Sequence, residues 1–144
     1  MNTLVETGEI LRQQNYDLVQ HFMAVAGTQE WYDLLHDDVV MEFPFAASLK
    51  NPEKYEGKRT AIIYLKQVLQ RVGNLKFKGL LTINTDEPDH FINEYYADIE
   101  TPAGKKYRQV YINRIKVKDN KIILVREYWN PQLILDSMDI KNNN

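Results

Sequence analysis

Glu127 is the residue of this chain whose neighbours could give it chemistry. It lies in Ile123-Leu124-Val125-Arg126-Glu127-Tyr128-Trp129, where alternate positions read Ile123, Val125, Glu127 and Trp129. Successive side chains of a strand point to opposite faces, so this carboxylate shares an otherwise apolar row. A carboxyl among apolar groups is costly to ionise unless it is paired, and its pKa climbs toward neutrality. General acid–base work at neutral pH needs such a group. The alternative is structural: Glu127 near a sheet end, bonded to Asn113, Tyr111 or water.

The preceding stretch supplies the other candidates. Its odd positions are Tyr107, Gln109, Tyr111, Asn113, Ile115 and Val117, and its even ones include Arg108, Arg114 and Lys116. A three-residue loop at Asp119-Asn120-Lys121 pairs Val117 with Ile123, Ile115 with Val125, Asn113 with Glu127 and Tyr111 with Trp129. A two-residue loop would set Lys116 opposite Ile123 and Arg114 opposite Val125, turning every side chain over. Burial of one face selects the three-residue loop. Arg114 then lies opposite Arg126 on the outer face, with Glu94, Asp98 and Glu100 of the neighbouring strand as counter-charges.

Other constellations are weaker. His36 stands beside Asp37-Asp38 without a second histidine at ligand spacing, so it reads as a polar connection and no metal is expected. His21 and His90 read as surface or edge residues. The basic run Lys105, Lys106, Arg108, Arg114, Lys116 and Lys118 alternates with aromatics, and from Lys106 on its parity is opposite to that of Tyr107 and Tyr111. A stacking groove for single-stranded nucleic acid wants both on one surface. The chain has no cysteine, which excludes thiolate catalysis and disulfides. Gly-x-Ser-x-Gly, phosphate-binding glycine loops and His-Glu-x-x-His are also missing. No cofactor is expected.

These residues need elements to hold them. Leu11, Leu18, Val19, Phe22, Met23 and Ala26 form one apolar helical stripe, stopped at Gly27. Thr28 can cap a short second helix carrying Trp31, Leu34 and Leu35. Val39 to Phe43 reads as a strand ended by Pro44, and residues 46–57 as a loop and candidate lid. Ala61, Ile62, Leu65, Val68, Leu69 and Val72 mark a third helix from about Lys58 to Val72, closed by Gly73-Asn74. Strands follow at about 75–85, 90–100, 107–118 and 121–129. Helices first and an antiparallel meander second give an α+β fold, helices covering one face of the sheet.

At 144 residues, 44% hydrophobic and 26% charged, the chain has the proportions of one globular domain. We place that domain at residues 1–136, with 137–144 as a frayed polar tail. A formal charge of −2 argues against general affinity for nucleic acid. Nothing resembles a signal peptide or a membrane span, so a cytoplasmic location is expected.

The order of elements resembles the nuclear transport factor 2-like superfamily. Leu35-His36-Asp37-Asp38-Val39-Val40-Met41-Glu42-Phe43-Pro44 and Tyr55-Glu56-Gly57-Lys58-Arg59-Thr60-Ala61-Ile62 are similar to its ketosteroid isomerase and SnoaL-like polyketide cyclase branch. The ending Val125-Arg126-Glu127-Tyr128-Trp129-Asn130-Pro131 and the turn Glu87-Pro88-Asp89-His90-Phe91 resemble the small phenazine-biosynthesis proteins of the A/B type. The resemblance spans nearly all of residues 10–136. It implies a curved antiparallel sheet wrapped around helices into a cone with a deep pocket. It also implies a homodimer through the sheet, here across charged rows interspersed with Val110, Ile112 and Tyr128.

Residue by residue, the isomerase base falls on Phe43, its tyrosine donor on Phe22 and its aspartic acid donor on Asn113. That mechanism lacks two of its groups here. The phenazine-type glutamate falls on Glu127 and its histidine on Tyr64, a phenol in place of an imidazole. One expected function is therefore cofactor-free acid–base catalysis on a flat, mostly apolar carbonyl or imine compound. In it Glu127 moves the proton, Asn113 and Tyr64 hold the polar group, and Phe22, Phe43, Gln109, Tyr111 and Trp129 bind the substrate. A non-catalytic binding or accessory protein with the same pocket is the second reading. A cone packed solid, with only an interaction surface, is the third.

Overall fold

The computed structural model describes residues 3–137. Helix α1 (Thr3–Ala24) and the short α2 (Gln29–Asp33) precede strand β1 (Leu35–Glu42). A 3-10 turn (Ala46–Leu49) and the short β2 (Lys54–Glu56) lead to helix α3 (Lys58–Val72). Strands β3 (Lys78–Asn84), β4 (His90–Glu100), β5 (Lys106–Lys118) and β6 (Lys121–Trp129) form the meander, and α4 (Pro131–Ser137) closes the described chain. No described helix is long and apolar enough to cross a membrane.

The six strands lie in the order β2-β1-β6-β5-β4-β3. β3 through β6 are antiparallel neighbours, as expected. β1 departs from that pattern, joining β6 in parallel, with Met41 beside Val125 and Glu42 beside Arg126. Register shifts interrupt β1, β3 and β6. Each extra residue bends its strand and increases twist, and together they curl the sheet over the helices.

One bend depends on a glycine. Gly79, at the irregularity of β3, has φ +65, and a Cβ there would come within 2.6 Å of the Tyr96 ring. The concave face packs against α1 through Val19, Phe22 and Met23 and against α3 through Ala61, Leu65 and Val72, all buried. Leu11, read as part of the α1 stripe, is 44% exposed and so lies outside the core.

Several boundaries differ from the sequence reading. Thr28 does cap α2, its Oγ1 accepting from the Trp31 N–H, but the helix ends at Asp33. Leu34 and Leu35 go to the sheet instead: the Ile122 N–H donates to Leu34 O at 2.9 Å, and Leu35 opens β1 beside Ile122. Residues 46–57 are not one loop, since they hold the 3-10 turn and β2, which pairs with β1. The helix α4 went unread although its signal was present. Asn130 Oδ1 accepts from the Gln132 N–H at 3.0 Å with Pro131 in the first turn, a usual start for a helix. Of the expected frayed tail, 138–144 lies outside the described residues.

The β5–β6 hairpin corrects the loop length. Asp119 and Asn120 both have positive φ, 52° and 57°, so the turn is a two-residue one with Lys118 opposite Lys121. Val117 faces Ile122, which is buried in the place expected for Ile123. A bulge at Ile123 then restores the other parity, and Ile115–Val125, Asn113–Glu127 and Tyr111–Trp129 pair as expected. Turn chemistry and burial are both satisfied, at the cost of one unpaired residue.

On the outer face Arg114 does lie opposite Arg126. Their relief comes partly from elsewhere than β4: Arg126 Nη1 donates to Glu42 Oε2 of β1 at 3.1 Å, and Arg114 Nη1 donates to His90 Nε2 at 3.0 Å. Asp98 is used by Arg108, at 3.3 Å.

Candidate functional site

The concave face of the sheet is arranged in rows that cross the strands. Met41, Val125, Ile115 and Phe91 are neighbours across β1, β6, β5 and β4 and form an aliphatic and aromatic row, all buried. The next row is polar throughout: Glu127, Asn113, Asn93 and Thr82, one from each of β6, β5, β4 and β3. Beyond it stand Trp129, Tyr111 and Tyr95. The Tyr95 and Tyr111 rings stack at 4.9 Å, and Phe77 meets both edge-on.

A cavity opens over these rows beneath α1 and α3. The volume within it that water could occupy is about 80 Å³. Phe22, Phe43, Tyr64, Tyr111, Asn113, Glu127 and Trp129 all line it, so the sheet, α1 and α3 bring seven of the eight candidate residues together. The cone is not packed solid.

Gln109 is the candidate that does not reach the cavity. Its Oε1 accepts from the Asn130 N–H at 3.0 Å and from its neighbour Val110 at 2.9 Å, while its Nε2 donates to Asn130 O at 2.8 Å. It is 1% exposed and ties the end of β6 to β5, so its amide has nothing to offer a ligand. Parity placed it on the correct face; the hydrogen bonds that occupy it come from a residue far along the chain.

Glu127 is enclosed by protein, and what surface it keeps faces the cavity. Burial pushes its carboxyl up to about 7, against the opposing effect of a hydrogen bond from the Tyr95 hydroxyl to Oε2. Oε1 has no hydrogen-bond partner among the described residues. Tyr95 in turn accepts from Asn113 Nδ2 at 2.9 Å. Asn113 is therefore occupied: its Nδ2 also approaches Met23 Sδ at 3.7 Å, and its Oδ1 accepts from Asn93 Nδ2 at 2.8 Å. The sequence reading gave Asn113 to the ligand, whereas its amide serves Tyr95.

Tyr64 stacks on Tyr55 at 4.2 Å and leans on Phe43 at 4.8 Å, and no hydrogen bond engages its hydroxyl among the described residues. Burial, then the charge of Glu127, pushes its phenol well above the ordinary tyrosine range, so at neutral pH it keeps its hydrogen and can donate it. Tyr107 and Tyr111 share a hydrogen bond of 2.7 Å, and burial raises Tyr107 to about 12. His36 lies away from the cavity, its Nδ1 accepting from the Asp38 N–H at 3.0 Å.

Sequence reading missed Tyr95, Tyr107, Met23 and Arg71 among the cavity residues. Tyr95 could have been found, because Phe91, Asn93 and Tyr95 have the parity opposite to the charged Glu94 and Asp98. Arg71 carried no signal. It sits in the last turn of α3, where a basic residue is favourable anyway.

An uncharacterised PhzA/B-like protein of Pseudomonas aeruginosa is 30% identical to this chain over 109 residues, 75% of this chain and 76% of that one. The chain belongs to the PhzA/B-like family. The solved structure of a putative isomerase from Bacillus subtilis shares 26% identity with this PhzA/B-like chain, covers 95% of both chains and superposes with a TM-score of 0.77. A phenazine biosynthesis-related protein of P. aeruginosa, 20% identical, covers 97% of this chain and 94% of its own, with a TM-score of 0.80. Solved structures of SnoaL-like and nuclear transport factor 2-like proteins share the fold of this PhzA/B-like chain. No family model matches it.

Proposed function

We propose that this PhzA/B-like protein moves a proton on a flat, mostly apolar molecule carrying a carbonyl or imine, with no cofactor. The observation that carries the reading is Glu127: an enclosed carboxyl near neutrality with one oxygen held and the other turned to a mostly apolar cavity. At pH 7 such a group is present in both protonation states, so it can take a proton and return it. Oε1 removes the proton beside the carbonyl or imine as the C–H bond breaks. The electron pair passes to the carbonyl oxygen or imine nitrogen, and Tyr64 donates its O–H there. Glu127 then returns the proton at a second position. Phe22, Phe43, Tyr111 and Trp129 are the apolar walls, and a narrow cavity suits a flat ligand.

The test is solvent deuterium uptake. Enones, aromatic polyketides, cyclic imines and flat heteroaromatic acids are first ranked by thermal shift, since ligand at about 100 times its dissociation constant adds roughly 2.7 kcal/mol. Bound compounds are then incubated in D₂O. Exchange beside the carbonyl in wild type and none in Glu127→Gln is the expected result. Binding without exchange would replace this reading with that of a ligand carrier. The phenol at position 64 favours the carrier, because it cannot serve as a second base at neutral pH.

The reading includes a homodimer through the outer face of the sheet. Val110 at 60% exposed, Leu81 at 54%, Ile112 at 45% and Tyr96 at 44% form an apolar patch on β3, β4 and β5 that supports it.

A further inference from the structure

The polar row on the concave face continues as one chain of hydrogen bonds from helix α1 to the cavity. Gln20 Nε2 donates to Thr82 Oγ1 at 2.5 Å, and the Thr82 hydroxyl donates to Asn93 Oδ1 at 2.6 Å. Asn93 Nδ2 donates to Asn113 Oδ1 at 2.8 Å, Asn113 Nδ2 donates to the Tyr95 hydroxyl at 2.9 Å, and Tyr95 donates to Glu127 Oε2. Every link points the same way.

The direction has a physical cause. Met23 Sδ, 3.7 Å from Asn113 Nδ2, can only accept, so the end of the amide beside it must be the NH₂. Asn113 Oδ1 must then accept from Asn93, which turns the Asn93 oxygen toward the Thr82 hydroxyl. That hydroxyl has one hydrogen, so its lone pair is left for Gln20. Asn93 and Asn113 are 0% and 1% exposed, and no bulk water competes for them.

We infer that this one-way chain, from Gln20 through Thr82, Asn93 and Asn113 to Tyr95, is a positioning device that makes Oε1 the exchanging oxygen of Glu127. The inference rests on the proton-moving reading of Glu127. Tyr95 cannot turn its hydrogen away, because the Asn113 NH₂ occupies its lone pair, so Oε2 stays an acceptor. The proton of the acid form then resides on Oε1, facing the cavity. Chains of aligned donors polarise one another, so Thr82, three strands from Glu127, strengthens the final bond to the carboxylate. The other titratable groups facing Glu127 are Tyr64 and Arg71 of α3 and Tyr107 and Tyr111 of β5. Burial pushes all three phenols up, so none of them ionises between about pH 4 and 9.

The test is a ¹³C NMR titration of glutamate carboxyls, with the Glu127 signal identified by its loss in Glu127→Gln. Thr82→Val keeps the shape and removes the hydroxyl, and is expected to raise the Glu127 midpoint by about half a pH unit. Thr82→Ser is expected to restore the wild-type midpoint, and Gln20→Leu to raise it by less. Gln20→Leu also serves if Thr82→Val does not fold. A midpoint unmoved by Thr82→Val and Gln20→Leu, whatever their melting temperatures, would overturn the positioning role. The parent reading is judged separately: a wild-type midpoint in the ordinary carboxylate range would end it, while the variant shifts would still decide the chain.

Discussion

The Tyr95 hydroxyl on β4 reaches across β5 to donate to Glu127 on β6, passing over Asn113, which is Glu127's own cross-strand partner. Asn113 supports the bond from below by donating to the same hydroxyl. The carboxyl is thus held by a residue that pairs with neither its strand nor its row.

Tyr95→Phe removes that donor and little volume. The hydrogen bond favours the ionised carboxyl, so its loss raises the Glu127 pKa further. The base limb of any pH–rate profile should move to higher pH. Folding should lose about 1–2 kcal/mol, because the Asn113 N–H is left without its partner. An unmoved profile would separate Tyr95 from the proton transfer.

Stability should depend on pH through Glu127. Its pKa is raised from 4.5 unfolded to about 7 folded, so between those values the native state binds more proton than the unfolded chain. Stability therefore falls as pH rises across that window, by roughly 3 kcal/mol at most. Glu127→Gln has no such dependence. Its melting temperature should exceed wild type at pH 8 and approach it at pH 4.5, and parallel curves would contradict the buried carboxyl.

Arg71 lines the cavity and makes no ion pair among the described residues. Arg71→Ala should weaken binding of the acidic compounds in the ligand panel by about tenfold, near 1.4 kcal/mol, and leave neutral ones unchanged. Equal loss for both would mean the alkyl stem, not the charge, makes the contact.

The proposed dimer uses the exposed apolar patch of the outer face. Val110→Lys together with Ile112→Glu should give a monomer in sedimentation with an unchanged far-UV spectrum. A wild-type monomer at micromolar concentration would remove the proposal altogether.

Gly79→Ala tests the bend in β3. The positive φ costs an L-residue about 1–2 kcal/mol, and the added Cβ must move the Tyr96 ring. A drop of that size in chemical denaturation is expected, against no change if β3 tolerates a flatter path.

Much of the site was legible because strand parity is a strict rule. The alternation in 107–117 and 123–129 was enough to put Tyr111, Asn113, Glu127 and Trp129 on one face, and helical spacing was enough for Phe22 and Leu65. The α+β order followed from where the period changed from helical to alternating. These are local properties, carried by neighbours a few residues apart.

What the folded chain decided was which partners the inward polar groups would take. Gln109 and Asn113 have the same parity and similar chemistry, yet one closes on Asn130 and the other on Tyr95. β1 entered the sheet in parallel beside β6, and through it Glu42 became the partner of Arg126. A two-residue turn and a bulge replaced a three-residue loop because twist and burial had to be met together. Period and parity determined the face of each side chain from the sequence alone. Its hydrogen-bond partner is chosen among groups from distant segments that meet only when the sheet is assembled, and so only the tertiary structure decided it.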